Sequence, residues 1–375
     1  EQLIELLGID APSGSPLAAQ VDRLAEILPW FKHNALVHYL SPRGLEQYSG
    51  GGWGTRDVTQ GPVEMLLAFG NFGPIRDLLI RVMKAQTSDG DWPQWFMFFE
   101  RDRDIRAGDS HGDIVFWPVL ALAQYLIASG DSSILDEPVS FFSSGHPKPA
   151  VPLWKHVERA LKVIERRIVS GTALAAYGHG DWNDALQPAD PAMRERMCSA
   201  WTVTLHHQVL TTLAHALRSI GREPEAARFD AWAANVKRDF QQVLLVDGVL
   251  TGYALFEEEG TVSYLLHPRD SITGVKYSSL AMIHAILEDL LDSEQLQQHL
   301  RLIDLQLSGP DGVRLFDRPM NYHGGPQRFF QRAESATFFG REIGLMYMHA
   351  HLRYAQALAR VGETDRFFRA LCQAN

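Results

Sequence analysis

Residues 219–225 read SIGREPE. An apolar run ends at Ile220, a glycine follows, and then come polar residues that can start a new helix. The same order stands at IASGDSS (127–133) and RVGETDR (360–366). Glycine is favoured just past a helix because it adopts the left-handed conformation without a Cβ clash. Each stretch therefore predicts a helical hairpin with a short turn. Around these turns the apolar spacing predicts helices over 62–68, 75–86, 115–129, 151–168, 191–220, 223–244, 275–291, 294–307, 335–361 and 365–372. No alternating strand pattern runs for more than a few residues, and the spacing is too irregular for a solenoid repeat. About ten to twelve helices in antiparallel pairs predict an all-α fold, a closed (α/α)6 barrel whose mouth is built from the loops on one side. An irregular helical domain is the alternative.

Composition narrows the class. The chain has 375 residues, long enough to bury a large core, and 46% of them are hydrophobic. No apolar run reaches the roughly 18–20 residues of a membrane span. The longest, 114–128, is broken by Pro118 and Gln124. The net charge is −10 and no Lys/Arg cluster is present, which argues against nucleic acid as a partner. Only two cysteines, Cys198 and Cys372, occur, and no secretion signal opens the chain. Both point to a reducing, cytoplasmic setting. The first residue is Glu1, which points to a segment of a longer protein. None of the fifteen histidines stands in an H-E-x-x-H arrangement, so no metal is expected.

Four loops carry an unusual mixture: 48–62, 86–118, 177–190 and 314–335 are rich in Gly, Trp, Phe, Tyr, Asp, Arg and His. A solvated connection has no need of Trp53, Trp92, Trp95 and Trp182. Aromatic faces stack on the C–H faces of sugar rings, while Asp, Asn, Arg and His bind the hydroxyls, so a carbohydrate pocket wants this mixture. The alternative is that the tryptophans plug the core and the acids cap helices. GHGDWNDAL (178–186) is the densest case, with Asp181 and Asp184 flanking Trp182 and Asn183.

GGGWGTRDVTQ (50–60), HGDIVFWPVLALAQYLIASGD (111–131) with ILDEPVSFF (134–142), and GHGDWNDAL resemble, in order, the motifs of glycoside hydrolase family 94, the inverting β-glucoside phosphorylases. The resemblance runs from about residue 28 to 369 and is loosest in the last third. It departs at Gly61, where the family usually has an Asp, and at Asp113, where the family usually has two adjacent acids. These departures place the chain on a branch distinct from the cellobiose enzymes and leave linkage and acceptor open. The resemblance implies a single helical catalytic domain over 1–375, without the family's N-terminal β-sandwich and C-terminal β-domain. It implies Asp184 as the general acid that protonates the leaving oxygen. For that role the acid needs a raised pKa, which burial beside Trp182 and proximity to Asp181 would supply.

The resemblance further implies that Arg56, Asp57, Trp182, Asp181 and Asp113 bind the reacting sugar. Glu334 and Arg341 are candidates for the next sugar, and Arg43 and His349 for phosphate. Inorganic phosphate would be a co-substrate and no other cofactor is implied. The family's Thr-Gly phosphate loop would fall beyond Asn375. Local readings compete at two positions: Arg56 as a structural ion-pair partner of Asp57, and His349, or its neighbour His351, as a packed helix-face residue. Two other functions stay open. One is a hydrolase or transglycosylase with Asp113, Glu100 or Glu334 as base. The other is a non-catalytic sugar-binding domain. The expected partners are an oligosaccharide and phosphate, with no nucleic acid and no membrane, and with association either as a homodimer or with further segments of a longer chain.

Overall fold

The computed structural model describes residues 8–40, 52–145, 148–320, 329–333 and 346–374. Its helices are α1 (Ala18–Leu40), α2 (Thr55–Thr59), α3 (Gly61–Ala68), α4 (Phe72–Met83), α5 (Phe116–Ser129), α6 (Leu153–Arg166), α7 (Met193–Arg196), α8 (Ala200–Ser219), α9 (Glu223–Asp239), α10 (Ser279–Leu287), α11 (Ser293–Leu302), α12 (Met348–Arg360) and α13 (Thr364–Gln373). Among the described residues no helix is long and apolar enough to cross a membrane.

The three glycine turns end helices as their sequences predict. Gly221 lies at φ +80°. Its N–H donates to the Arg218 carbonyl at 3.1 Å and the next N–H, of Arg222, to Leu217 at 2.9 Å. These two bonds satisfy carbonyls that the end of α8 would otherwise leave open. Gly362 repeats the pattern after α12, with Glu363 N–H donating to Leu358 at 2.9 Å. After α10 the left-handed position is filled by Asp289 at φ +53°, one of the few residue types besides glycine that tolerate it.

The hairpins are α3/α4, α5/α6, α8/α9, α10/α11 and α12/α13. Their first helices form an inner row: α3 packs on α5, α5 on α8, α8 on α10 and α10 on α12. Helix α1 closes the ring by packing on both α3 and α13. The molecule is an (α/α)6 barrel. Sequence sets which helix goes inside. Most of α5 and α8 is buried on every face. Helix α6 buries only a stripe that includes Leu153, Val157, Ala160, Leu161 and Ile164, and keeps charges on its other face. Inner helices alternate with outer ones, so they all run in one direction and point their N-termini toward one mouth. The motif loops lead into those N-termini, where backbone N–H groups favour carboxylates and anions.

The structure corrects several helix boundaries. The run 191–220 is not one helix. Residues Met197–Ser199 are a strand paired with Tyr253–Leu255, and Ser199 then caps α8 by accepting from Thr202 N–H at 3.4 Å. Val262–Leu265 adds a third strand to that sheet. The run 275–291 becomes helical only at Ser279, because Lys276 and Tyr277 donate their N–H groups to Asp317 at 2.8 and 2.9 Å. The runs 223–244 and 294–307 each finish in a wide π-turn, at Phe240–Leu244 and Ile303–Leu307. The last long run starts at Met348, with Tyr347 extended, while 334–345 lies outside the described residues. Helix α1, with Pro29 inside it, was not expected, because proline normally breaks a helical pattern.

The turn chemistry gives a test of opposite signs. Gly221→Ala puts a Cβ in the left-handed region and should cost about 1–2 kcal/mol. Gly73→Ala lies within α4, where the added Cβ meets open space, and should gain about 0.5–1 kcal/mol. Urea unfolding should move the two midpoints in opposite directions. Equal shifts would show that the left-handed turn is not what ends α8.

Candidate active site

Arg56 is placed by a two-residue strand and a turn of helix. Trp53–Gly54 pairs antiparallel with Trp95–Phe96. Thr55 then fastens α2 to the same loop, its N–H donating to the Gln94 carbonyl at 2.9 Å and its hydroxyl to the Pro93 carbonyl at 2.6 Å. The Arg56 side chain that follows is only 7% exposed. It meets three carboxylates. One terminal nitrogen donates to Asp113 Oδ2 at 3.0 Å, the other lies 3.6 Å from Asp184 Oδ1, and Nε lies 4.0 Å from Asp57. Burial alone would lower its pKa, but the carboxylates of Asp113, Asp57 and Asp184 outweigh burial and hold it above the ordinary arginine value. The Arg56–Asp57 pair is thus the longest of the three contacts, not the sole partner of Arg56. Asp113 is fully buried, and its Oδ2 also accepts from Trp117 Nε1, one helical turn on, at 2.9 Å.

The second and third motifs are laced together. Gly112 N–H donates to the Gly180 carbonyl at 2.8 Å, and His111 bridges Gly178. A Cβ on Gly112 would sit 2.3 Å from the Tyr177 carbonyl oxygen, so this approach needs glycine. Within the loop, Asp181 is buried. It accepts from Asn183 N–H at 3.0 Å and from the Thr202 hydroxyl at 3.1 Å. Burial first, and the charge of Asp113 second, push its pKa up to about 6, against hydrogen bonds that favour the anion. Asp184 opens a single 3₁₀ turn, Asp184–Leu186, capped by Asn183, which accepts from Ala185 N–H at 3.2 Å. Its side chain is 34% exposed. Its Oδ1 lies 3.5 Å from His111 Nδ1 and makes no hydrogen bond among the described residues. The expectation that burial falls on Asp184 is therefore corrected: Asp181 is the sealed acid, and Asp184 is the open one.

Trp182 meets the ring of Tyr347 edge-on at 5.0 Å and that of His349 at 5.5 Å. His349 lies in the first turn of α12. Arg353 Nε donates to its Nε2 at 3.4 Å, and the Gln60 amide lies 3.2 Å from the same atom. A guanidinium can only donate, so Nε2 is an acceptor and Nδ1 carries the proton. Burial first, then the charges of Arg353 and Arg56, push the His349 pKa down to about 4, so the ring is neutral at pH 7. His351 is different. Its Nδ1 accepts from Val313 N–H at 3.1 Å and its Nε2 donates to the Ala370 carbonyl at 2.7 Å, which makes it a buried brace. The structure thus brings His349 to the motif cluster and leaves His351 in the core.

Other candidates fall apart or fall outside. Trp92 is a core plug, its Nε1 donating to the Val82 carbonyl at 2.8 Å, and Trp53 is buried as well. Arg43, Glu334, Arg341 and the side chain of Glu100 lie outside the described residues. Sequence reasoning missed His111, which donates through Nδ1 to the Asp181 carbonyl at 3.0 Å, and Gln60. Each sits at an end of a quoted motif, and that was the available signal. Among the described residues no cluster of three His, Cys, Asp or Glu side chains is placed to hold a metal.

The catalytic-domain model of the glycosyl hydrolase 94 superfamily matches residues 22–370. A 1,2-beta-oligoglucan phosphorylase of Listeria innocua serovar 6a is 43% identical over 339 residues, which cover 89% of this chain and 31% of that protein. The chain therefore spans about a third of the length of this curated relative. Among solved structures, a glycosidase variant in complex with glucose superposes with a TM-score of 0.55 at 14% identity, covering 97% of this chain and 84% of that one. A rhamnosidase from Klebsiella oxytoca with rhamnose bound gives 0.52 at 14% identity, covering 85% and 48%. At this identity the two structures speak for the fold alone.

The buried acid makes a stability prediction. Asp181 holds its proton more tightly folded than unfolded, because its pKa is raised from 3.8 to about 6. Stability from this group is present at low pH and is lost as pH rises from about 4 to about 6. Above that range ionised Asp181 costs on the order of 2–3 kcal/mol. Asp181→Asn should therefore raise the melting temperature at pH 8 relative to the parent, with the gain shrinking toward pH 4. A gain independent of pH, or one confined to low pH, would contradict a raised Asp181 pKa.

Proposed function

We propose a phosphorolytic reaction for this site, on the premise that the chain belongs to the glycosyl hydrolase 94 superfamily. The reaction is the inverting phosphorolysis of a β-linked gluco-oligosaccharide, carried by one helical catalytic domain. Asp184 gives its proton to the glycosidic oxygen as the C1–O bond breaks. A phosphate oxygen forms the new bond to C1 from the opposite face, so the products are α-glucose 1-phosphate and a sugar shortened by one unit. Phosphate is itself the nucleophile, so no second carboxylate is needed to activate water. The Listeria relative is a 1,2-beta-oligoglucan phosphorylase, which makes β-1,2-linked glucans the first substrates to try.

One observation carries this reading. Of the two acids in the DWND loop, Asp184 is the one whose side chain reaches solvent, at 34% exposure, while its Oδ1 sits beside Arg56 and His111 with no hydrogen bond among the described residues. Asp113, the described candidate for a hydrolytic base, is sealed from water and bound by Arg56 and Trp117. That counts against a hydrolase that uses it. Arg56 and Asp57 are read as holding the hydroxyls of the reacting sugar. Asp181 is read as shaping the loop under that sugar and Trp182 as its apolar wall. His349 is read as a neutral hydrogen-bond donor to phosphate, a role in which binding a dianion would also raise its pKa. Arg43 remains the proposed cationic clamp for phosphate, and Glu334 and Arg341 the proposed contacts of the next sugar.

The test is to incubate the protein with a panel of β-linked gluco-oligosaccharides, with and without inorganic phosphate. The expected result is α-glucose 1-phosphate, formed only with phosphate and with no free glucose in its absence. Glucose released at the same rate without phosphate would make the protein a hydrolase. Asp184→Asn should slow turnover by on the order of 10²–10⁴ while oligosaccharide binding persists. Full activity in that variant would remove Asp184 from the acid role.

A further inference from the structure

A cleft of about 820 Å³ opens beside the loop that carries Asp181 and Asp184. It is lined by His179 of that loop and by Arg166, Arg167, Arg194 and Arg196. Arg56, Asp57, Asp184 and His349 do not line it. Its size falls in the range of small-molecule sites, about 300–1,000 Å³. Four guanidinium groups outnumber the two carboxylates that also line it, Glu195 and Glu257, in a chain whose net charge is −10.

Arg194 is the central observation. Its Nε is buried without a hydrogen-bond partner, and it has no carboxylate partner among the described residues. One terminal nitrogen donates to His179 Nε2 at 3.3 Å, so that ring is neutral at Nε2 and holds its proton on Nδ1. Burial first, then Arg194, lower the His179 pKa, and Arg167 adds to this. The other cations are better satisfied. Arg167 is ion-paired with Asp91, and Arg166 donates to the Asp89 carbonyl at 3.3 Å. Arg196 donates to the Phe256 carbonyl at 3.3 Å and lies 4.0 Å from Glu258. A half-buried guanidinium with an unused N–H, next to a neutral imidazole and further arginines, lacks an anion. A guanidinium fork matches a phosphoryl group, and the hydroxyls of Ser110 and Thr261 line the same cleft.

We propose that this cleft binds a phosphate dianion, either inorganic phosphate or a sugar phosphate monoester, at a site separate from the Arg56 pocket. The anion sits against Arg194 and His179, with the neighbouring arginines supplying the field. It is tied to the catalytic loop through the backbone, since Gly178 N–H donates to the Arg194 carbonyl at 2.9 Å and His179 stands two residues before Asp181. Binding here does not require that the Arg56 pocket act on phosphate, so either site can fail without the other.

The test reads the His179 ring resonances by NMR during titration with inorganic phosphate, with α-glucose 1-phosphate, and with chloride at matched ionic strength. A saturable shift with either phosphate and none with chloride is expected. Tighter binding of the ester would identify the sugar phosphate as the ligand, and equal binding inorganic phosphate. Arg194→Gln should weaken binding by about tenfold or more, the loss of a charge-assisted pair, with the His349 resonance before any phosphate is added matching that of the parent as a check of the fold. Arg196→Gln, at the same cleft, carries the test should Arg194→Gln fail to fold, with a smaller loss expected. A His179 resonance that no phosphate moves, or parental affinity in both variants, would overturn the proposal.

Discussion

The buried pair of Arg56 and Asp113 is the contact on which the site depends. Neither charge reaches water to any extent. A buried charge that loses its partner costs about 3–5 kcal/mol, so the fold is stable only if the loop before α3 meets the loop before α5. The second nitrogen of the same guanidinium reaches Asp184 at 3.6 Å, which adds the loop before α8. Three segments far apart in sequence are thereby held to one cation. The barrel supplies the geometry, because its inner helices present those loops side by side at one mouth.

The same pair sorts the acids into different states. Asp113 is sealed and paired. Burial, and second the charge of Asp113, lift Asp181 to about 6, so that Asp181 is half-protonated near that pH. Asp184 is left partly exposed, between Arg56 and His111. Sites that separate acid and base roles commonly do so by giving neighbouring carboxylates unlike environments. Across the cluster His349 is kept neutral by burial first, and then by the charges of Arg353 and Arg56. The fixed cation of the cluster, Arg56, is already matched by carboxylates.

The hairpins could be read from sequence because their signal is local. A glycine at the left-handed position and its two neighbours define the turn at 221 and 362 without reference to the rest of the chain. Asp289 fills the same position less legibly, since aspartate has many other uses. The strand at Met197–Ser199 could not be read, because its partner, Tyr253–Leu255, is distant and nothing in 191–220 marks the break. Helix α1 was hidden by Pro29. In the site, residue types announced themselves in TRD and DWND, but their environments did not. Asp181 rather than Asp184 is buried because Thr202 and Asp113 close over it, contacts 21 or more residues away. His349 and His351 stand two apart on one helix and look alike in sequence. Val313 and Ala370 decide between them by claiming both nitrogens of His351.

A double-mutant cycle on Arg56 and Asp113 tests the central claim most directly, with unfolding free energies measured in urea for Arg56→Met, Asp113→Asn and the double variant. If the pair is what holds the motif loops together, each single variant loses about 3–5 kcal/mol, and the double variant loses no more than the worse single one. Losses that add to within about 0.5 kcal/mol would mean that the two residues act independently. The site would then owe its arrangement to packing alone.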